Sequence, residues 1–196
     1  VVAAGPTYED IDPVRYLGNR SSGRMGFALA AEAKRRGAAV TLVAGPTQLE
    51  PPVVGDVVRV RSAAEMHEAV LRAAVTADVV IMAAAVADYT PTTPADHKVP
   101  KTAGPLTLTL ERTPDILADL SLLPSRLLSG RPMLVGFAAE TGDPVTRARD
   151  KRAQKDIELI VANDVSRPDA GFDVATNAVT LIDTEGERDV PVQSKV

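Results

Sequence analysis

The sequence predicts an α/β fold: a Rossmann-like, doubly wound and mostly parallel sheet that ends in a C-terminal β-hairpin. Short runs rich in Val, Ile and Leu alternate with segments of helical periodicity, which is typical of a parallel sheet covered on both faces. Residues that favour helix starts separate these segments. Beyond Asn163 the pattern changes to two alternating strands, which indicates an antiparallel addition to the sheet.

Six short apolar runs are predicted to be the strands of the sheet. They are Val1–Ala3, Ala39–Ala44, Val57–Val60, Val79–Ala83, Met133–Phe137 and Leu159–Ala162. The hairpin is predicted from Ala178–Asp183 and Arg188–Val192, joined around Glu185-Gly186. Ligands of open sheets of this kind bind beyond the carboxyl ends of the strands, so functional residues are expected at that edge.

Helix starts are marked by capping signals. Ser62 with Glu65 predicts a capping box before a helix at Met66–Val75. Thr113-Pro114 and Asp143-Pro144 each place an N-cap residue ahead of a first-turn proline. A further helix is expected to run from about Arg24 and to end at Gly37.

The segment Tyr89–Gly104 interrupts this alternation. It is rich in proline and has no apolar period, so it is predicted to be a long loop. Long loops in compact domains are commonly lids or binding elements.

Composition excludes several classes of function. The 22 basic residues are outnumbered by 26 acidic ones, giving a net charge of -4, so a nucleic-acid-binding surface is not expected. Without cysteine there is no disulfide framework and no thiolate zinc site, which fits a cytoplasmic protein. No apolar run approaches the roughly 20 residues of a membrane span.

A single domain over residues 1–196 is expected, and the start at Val1 suggests a piece of a longer polypeptide.

The first candidate site is the turn GNRSSGRMG, Gly18–Gly26. Its glycines do not fit G-x-G-x-x-G, and no acidic residue closes the second strand to bind a ribose. A phosphate loop is nearly matched, but Arg24 and Met25 replace the lysine and the magnesium-binding hydroxyl. Tight turning alone is the structural alternative. The donors grouped at the start of a helix favour a phosphate or a developing oxyanion; the candidate binding residues are Gly18, Asn19, Arg20, Ser21, Ser22 and Gly23.

Two further clusters follow along the chain. AAAVADYT, Ala83–Thr90, combines small residues with the carboxylate of Asp88, although packing and turn capping are ordinary explanations for both. Lysines at 98 and 101 lie in the proline-rich loop, and Arg147, Lys151 and Lys155 recur at four-residue spacing, which also suits a solvated helix face. All three clusters fall at strand ends or on the loop beyond them, so they are predicted to converge on one polyanion.

These clusters, in this order, resemble the phosphopantothenate-cysteine ligase family, also called phosphopantothenoylcysteine synthetase. The matching stretches are AGPTYEDIDPVRYLGNRSSGRMG, AAAVADY, DHKVPK, TPDIL, GFAAET, KRAQK and NDVS, between Ala4 and Ser166. The resemblance implies a homodimeric ligase that joins 4'-phosphopantothenate to L-cysteine in coenzyme A biosynthesis, using CTP and Mg²⁺. In bacteria such a domain usually follows a flavin-dependent decarboxylase half, which this chain does not include.

The resemblance also implies roles for individual residues. Asn19 would serve the cysteine-dependent second step, Arg15 matches the family's arginine that precedes this asparagine, and Lys98 would be the catalytic lysine of a flexible loop. These three are the implied catalytic residues. The implied CTP-binding residues are Met82, Ala83, Ala84, Asp88, Lys98, Pro114, Asp115, Ile116, Leu117, Phe137, Lys151 and Lys155. The sequence departs from the family at Pro100, where many bacterial members have a lysine. A stiffer loop with one fewer cation is expected there. The family's C-terminal helix is also missing after Val196, and the metal ligands are not implied.

Two other readings remain open at this point. One is a non-catalytic nucleotide- or dinucleotide-binding module, because the fold alone decides no chemistry. The other is an interaction domain that dimerises through the late hairpin, in addition to catalysis.

Overall fold

The computed structural model describes residues 1–101, 103–123, 131–166 and 176–195. Within them the strands are β1 (Val2–Ala4), β2 (Tyr8–Asp10), β3 (Tyr16–Gly18), β4 (Thr41–Ala44), β5 (Asp56–Arg59), β6 (Val79–Met82), β7 (Tyr89–Pro91), β8 (Leu110–Arg112), β9 (Met133–Glu140), β10 (Leu159–Asp164), β11 (Thr176–Ile182) and β12 (Glu187–Ser194). The helices are α1 (Arg24–Arg35), α2 (Ala63–Ala74), α3 (Ile116–Ser121) and α4 (Pro144–Lys155).

Eight strands form the main sheet in the order β12-β11-β10-β9-β6-β1-β4-β5. The pairs from β5 to β10 are parallel, and β11 and β12 are added antiparallel to β10. The predicted Rossmann-like, mostly parallel sheet with a C-terminal hairpin is therefore confirmed. From β1 the chain first proceeds to β4 on one side and later to β6 on the other, so the order reverses between β1 and β6.

The six predicted strands all form, with shifted ends. β9 continues to Glu140, three residues beyond the prediction, because it stays paired with β10 as far as Asp164. The hairpin is confirmed, with Ile182 opposite Glu187. Its turn is closed by the Asp183 carboxylate, which accepts hydrogen bonds from the Glu185 and Gly186 amides at 2.7 and 3.0 Å.

Most capping predictions are confirmed. Ser62 accepts from the Glu65 amide at 3.2 Å, although the Glu65 carboxylate accepts from the Arg61 amide rather than from Ser62. Asp143 accepts from the Thr146 amide at 3.1 Å, and Pro144 opens α4. Gly37 follows the end of α1 with a φ of 92°.

The prediction for Thr113 was wrong. Asp115 is the N-cap of α3 and accepts from the Ala118 amide at 3.1 Å. The Thr113 hydroxyl instead donates to the Ala87 carbonyl at 2.6 Å. A threonine before a proline therefore connects two loops here.

Two short hairpins outside the main sheet were not predicted. They pair β2 with β3 and β7 with β8. The loop predicted at Tyr89–Gly104 consequently begins three residues later, after β7, because Tyr89 pairs with Arg112 and Pro91 with Leu110. Strands of three residues with polar side chains leave no periodic signal. Thr102, inside the predicted loop, lies outside the described residues.

The sheet is covered on both faces. α1 packs on one face through Phe27 and Ala30, whereas helices α2, α3 and α4 pack on the other. Gly26 allows α1 to approach β1 closely, because an added Cβ atom would lie 2.4 Å from the Cβ of Ala4. This close packing holds the start of α1 next to the carboxyl end of β1.

Candidate active site

A cavity of about 1200 Å³ opens at the carboxyl edge of the sheet, where the strand order reverses. The described residues that line it come from the turn before α1, the segment after β6, the start of α3, the end of β9 and one face of α4. They include seven basic and four acidic side chains. The cavity is thus locally cationic in a chain whose net charge is -4, which favours an anionic ligand.

Most residues singled out in the sequence line this cavity. They are Asn19, Arg20, Ser21, Ser22, Gly23, Met82, Ala83, Ala84, Asp88, Pro114, Asp115, Ile116, Leu117, Phe137, Lys151 and Lys155. The predicted convergence of the glycine turn, the small-residue segment and the lysines of α4 is therefore observed. Gly18, Arg15, Lys98 and Lys101 are not among its lining residues, so the convergence predicted for the two loop lysines is not observed.

The glycine turn is held in one conformation by its own hydroxyls and by Thr47. Gly23 has a φ of 74° and is the N-cap of α1, a conformation that a side chain would strain. Ser21 Oγ accepts from the Gly23 amide at 3.2 Å, and Thr47 Oγ1 donates to the Ser22 carbonyl at 2.8 Å. The first N–H groups of α1 have no intrahelical acceptors and suit an anion.

Asn19 joins the turn to the small-residue segment. Its Nδ2 donates to the Val86 carbonyl at 2.8 Å, so the amide is oriented at the cavity wall. The amide nitrogen carries a second hydrogen that this bond does not use. Asn19 can therefore offer a donor to a ligand without leaving Val86.

Two threonines hold the segment after β6 in place through hydrogen bonds to Ala87. Buried Thr7 accepts from the Ala87 amide at 2.9 Å, and Thr113 donates to the Ala87 carbonyl. Both backbone groups of Ala87 are thereby satisfied, and the exposed Asp88 follows directly at the cavity wall.

Two lysines of α4 project from one helix face into the cavity. Lys151 Nζ donates to the Phe137 carbonyl at 3.0 Å. Burial lowers the pKa of Lys151, opposed by the charges of Glu140, Asp115 and Asp88. A cation that has lost part of its hydration and has few protein acceptors is well prepared to bind an anionic ligand.

Lys155 forms an ion pair with Asp115, the N-cap of α3. Burial favours the neutral form of Asp115, but the Lys155 and Ala118 hydrogen bonds and the charges of Lys155 and Lys151 outweigh it, so the pKa of this carboxyl is lowered. The pair fixes α3 against α4 and positions the TPDIL segment at the cavity.

Arg15 and Lys98 lie together on a neighbouring part of the surface. Arg15 forms an ion pair with Asp12 and donates to the Val99 carbonyl at 2.7 Å, next to the exposed Lys98. The structure therefore brings Arg15 next to the segment that contains Lys98, although the two are far apart in the sequence, and neither residue lines the cavity.

Several cavity residues were not chosen from the sequence as site residues. The added cations and amides are Arg24, Arg112, Arg147, Asn163, Asn177 and Lys195. Arg147 was noted only as part of the four-residue stripe, and that spacing was the available signal. Among the described residues, Arg24 Nε and Asn177 Oδ1 are buried without a hydrogen-bond partner, a property that only a folded structure reveals.

Neither a metal cluster nor a membrane span is found within the described ranges. No group of three or more His, Cys, Asp or Glu side chains there could hold a metal ion. No described helix is long and apolar enough to cross a membrane.

The fold and the site together define a Rossmann-like α/β domain with a cation-lined ligand cavity at the reversal point of its sheet. The chain belongs to the family DFP, the DNA/pantothenate metabolism flavoprotein C-terminal domain, which matches residues 1–196. Membership agrees with the resemblance drawn from the motifs.

Individual comparisons support the same family. The chain is 47% identical over 197 residues to the Coenzyme A biosynthesis bifunctional protein CoaBC of Vibrio cholerae, covering 100% of this chain and 48% of that protein. It thus spans about half the length of this curated relative. A crystal structure of the C-terminal domain of a CoaBC protein matches with a TM-score of 0.78 and 41% identity, covering 98% of this chain and 85% of that one.

A more distant structure shares the fold. It is the Cab2 mutant H337A in complex with phosphopantothenate-cysteine, with a TM-score of 0.76 and 16% identity, covering 99% of this chain and 80% of that one.

Proposed function

We propose that this chain is a single ligase domain, residues 1–196, that joins 4'-phosphopantothenate to L-cysteine in coenzyme A biosynthesis. CTP activates the substrate carboxylate as an acyl-cytidylate and is converted to CMP and pyrophosphate. The observation that carries the proposal is one cavity lined both by Asn19 with the start of α1 and by Lys151 with Lys155. The similarity of the chain to coenzyme A biosynthesis bifunctional proteins supports the pathway.

The first step needs charge neutralisation and alignment. An oxygen of the substrate carboxylate attacks the α-phosphorus of CTP, and the bond to the β-phosphate oxygen breaks to release pyrophosphate. Such displacements depend on positioning and electrostatic stabilisation. Lys151 and Lys155 supply fixed cations on one helix face, and Lys98 would add a third from the loop.

The second step needs donors for an oxyanion. The amine of cysteine attacks the activated carbonyl, the tetrahedral intermediate loses CMP, and a proton leaves the nitrogen as the amide forms. The spare N–H of Asn19 and the N–H groups at the start of α1 are suited to stabilise the intermediate. Removing one such donor commonly costs about a hundredfold or more in rate.

Mg²⁺ is proposed to enter with the nucleotide. It is usually bound by one or two carboxylates together with substrate phosphates. Asp88, exposed at the cavity wall, is a carboxylate that could make such a contact. When bound, the ion would neutralise phosphate charge.

Two proposals concern the assembly. The chain is proposed to act as a homodimer, and in the full-length protein a flavin-dependent decarboxylase half is proposed to precede it. Light scattering of the purified domain tests the first, and a monomer at working concentration would contradict it.

Pyrophosphate release in the presence of phosphopantothenate, CTP and Mg²⁺ tests the reaction. We expect release without cysteine to stop after about one turnover and to continue when cysteine is added. The rival of a passive dinucleotide- or nucleotide-binding module predicts no release at all. Thermal shifts with CTP, ATP and NADPH provide a second readout, and stabilisation by CTP above the other two is expected.

A further inference from the structure

The turn at residues 11–15 is anchored by the carboxylate of Asp12, which is 2% exposed. Its Oδ1 accepts from the Val14 and Arg15 amides, both at 2.9 Å. Its Oδ2 accepts from Arg15 Nε and from the Val99 amide, both at 3.0 Å, and also from Arg15 Nη2. Four of these bonds are local to residues 12–15, but the bond to Val99 crosses 87 positions of sequence.

Arg15 completes a clamp on the same residue. While paired with Asp12, its Nη2 donates to the Val99 carbonyl at 2.7 Å. Both backbone groups of Val99 are therefore held by one ion pair. A buried carboxylate that accepts hydrogen bonds from a guanidinium and from amides is a strong anchor, because charge-assisted bonds are stronger than neutral ones.

The proline-rich loop is attached to this turn at a second point. The Ala95 amide donates to the Ile11 carbonyl at 2.9 Å. Residues 96–98 lie between the two attachments, and they are exposed. The loop is thus held on both sides of the segment that contains Lys98.

We propose that Asp12 is a positioning residue for Lys98, which rests on the proposed ligase function. Asp12 accepts a hydrogen bond from the Val99 amide, and Arg15, held by Asp12, donates to the Val99 carbonyl. Asp12 thereby sets where the Lys98 backbone lies relative to the cavity. Lys98 is exposed, so the adjacent backbone must be fixed if its ammonium is to reach a bound triphosphate reproducibly. Asparagine could not replace Asp12, because its amide group would face donors on Arg15 or Val99.

Asp12→Asn tests the proposal. We expect exchange of the Val99 amide hydrogen, followed by NMR, to accelerate at least about tenfold, since a charge-assisted bond is lost. The kcat for pyrophosphate release should fall about tenfold or more, with the KM for CTP within about twofold because Lys151 and Lys155 are unchanged. Asp10→Asn is the matched control: it breaks an exposed ion pair with Arg61 in the same region and should leave exchange at Val99 and kcat unchanged.

A double-mutant cycle separates positioning from general destabilisation. If Asp12 acts through Lys98, the Asp12→Asn, Lys98→Gln double variant should be no slower than Lys98→Gln alone. Independent, multiplicative losses would overturn the proposal. So would normal kcat in Asp12→Asn despite fast exchange at Val99.

Val99→Pro provides a second route if Asp12→Asn does not fold. Val99 precedes Pro100 and is already restricted to extended backbone. Proline at 99 removes the N–H that donates to Asp12 and also restricts the backbone of Lys98, so an unchanged kcat is the informative outcome of this variant. A kcat loss of about two- to tenfold is expected, and an unchanged kcat would contradict the clamp.

Absence of pyrophosphate release by the unaltered chain would remove the ligase proposal and, with it, the catalytic consequence. The exchange measurement would still decide whether Asp12 holds the loop.

Discussion

The Asn19 side chain donates a hydrogen bond of 2.8 Å to the carbonyl of Val86, 67 positions further along the chain. This bond joins the turn before α1 to the segment after β6, on the two sides of the point where the strand order reverses. The proposed oxyanion donors and the wall of the cavity proposed to bind the nucleotide are thereby held in a fixed relation, and the following predictions build on it.

Asn19→Asp should separate the two half-reactions. A carboxylate has no hydrogen to donate to Val86 or to an oxyanion, and its charge opposes the developing negative charge. We expect the first turnover of pyrophosphate release to persist and product formation to fall by about a hundredfold or more. Quench and mass spectrometry should detect the acyl-cytidylate. The control is Gln48→Glu, which makes the same chemical change at an exposed position outside the cavity lining and should have no effect. Equal loss of both half-reactions in Asn19→Asp would argue against the assigned role.

Lys98→Gln should reduce turnover without unfolding the domain. The side chain is exposed, and exposed substitutions usually change stability by no more than about 0.5 kcal/mol. We expect kcat to fall at least about tenfold while Tm stays within about 2 °C. Lys34→Gln, in the exposed last turn of α1, is the control, and a normal rate in Lys98→Gln would remove Lys98 from the catalytic residues.

Lys151→Met should weaken nucleotide binding. Methionine keeps much of the aliphatic stem but removes the cation, and bonds to charged groups contribute about 1.5–3 kcal/mol, so CTP should bind about ten- to a hundredfold more weakly. The free protein should be as stable or more stable, since burial lowers the pKa of Lys151 and so disfavours its charged form. Calorimetric titration with CTP measures the affinity, and urea unfolding measures the stability. Lys34→Met is the matched control. Unchanged CTP affinity in Lys151→Met would refute the assignment.

Gly26→Ala should destabilise the fold. The new Cβ would lie 2.4 Å from the Cβ of Ala4, so α1 must move away from β1. Overpacking of this kind costs about 1–3 kcal/mol. Gly104→Ala is the control, because its added Cβ would meet no atom within 4 Å. Urea unfolding should distinguish the two variants, and equal stabilities would contradict the close packing.

Acidification should weaken the contribution of Asp12 to stability. The hydrogen bonds from Arg15, assisted by the amides of Val14, Val99 and Arg15 and opposed by burial, hold the pKa of Asp12 well below its usual range. A carboxyl with a lowered folded-state pKa stabilises the fold fully above its unfolded value, near about 3.9, and loses that contribution as pH falls toward the folded value.

The difference in unfolding free energy between the unaltered chain and Asp12→Asn should therefore be largest near neutral pH and shrink below about pH 4. Because both chains share every other titrating group, the difference reports on Asp12. Urea unfolding at several pH values measures it, and a difference that is independent of pH would exclude this linkage.

Much of the fold could be predicted because its signals are local. Apolar runs such as Val79–Ala83 and caps such as Ser62 and Asp143 act over a few residues, and the structure confirms them. The short hairpins at Tyr8–Asp10 and Tyr89–Pro91 could not be predicted, because three-residue strands have no readable period. The prediction for Thr113 was wrong because its hydroxyl bonds to the Ala87 carbonyl, which is distant in sequence, instead of capping α3.

The candidate site could be predicted in composition but not in arrangement. The α4 spacing and the motifs pointed to Lys151 and Lys155, which line the cavity. Asp12 was part of a matched stretch and yet carried no signal, since nothing near it in sequence indicates that its carboxylate meets Val99.

The amino-acid sequence by itself determined the order and type of the main elements and the edge of the sheet at which the α4 lysines and the glycine turn meet. Periodicity and capping are local signals, and the alternation of strands with helices implies a parallel sheet. Only the tertiary structure decided that Asn19 orients on Val86, that Asp115 pairs with Lys155 and that Asp12 clamps the loop of Lys98. These contacts join groups far apart in the chain, and their hydrogen bonds form only at distances that the packed backbone sets.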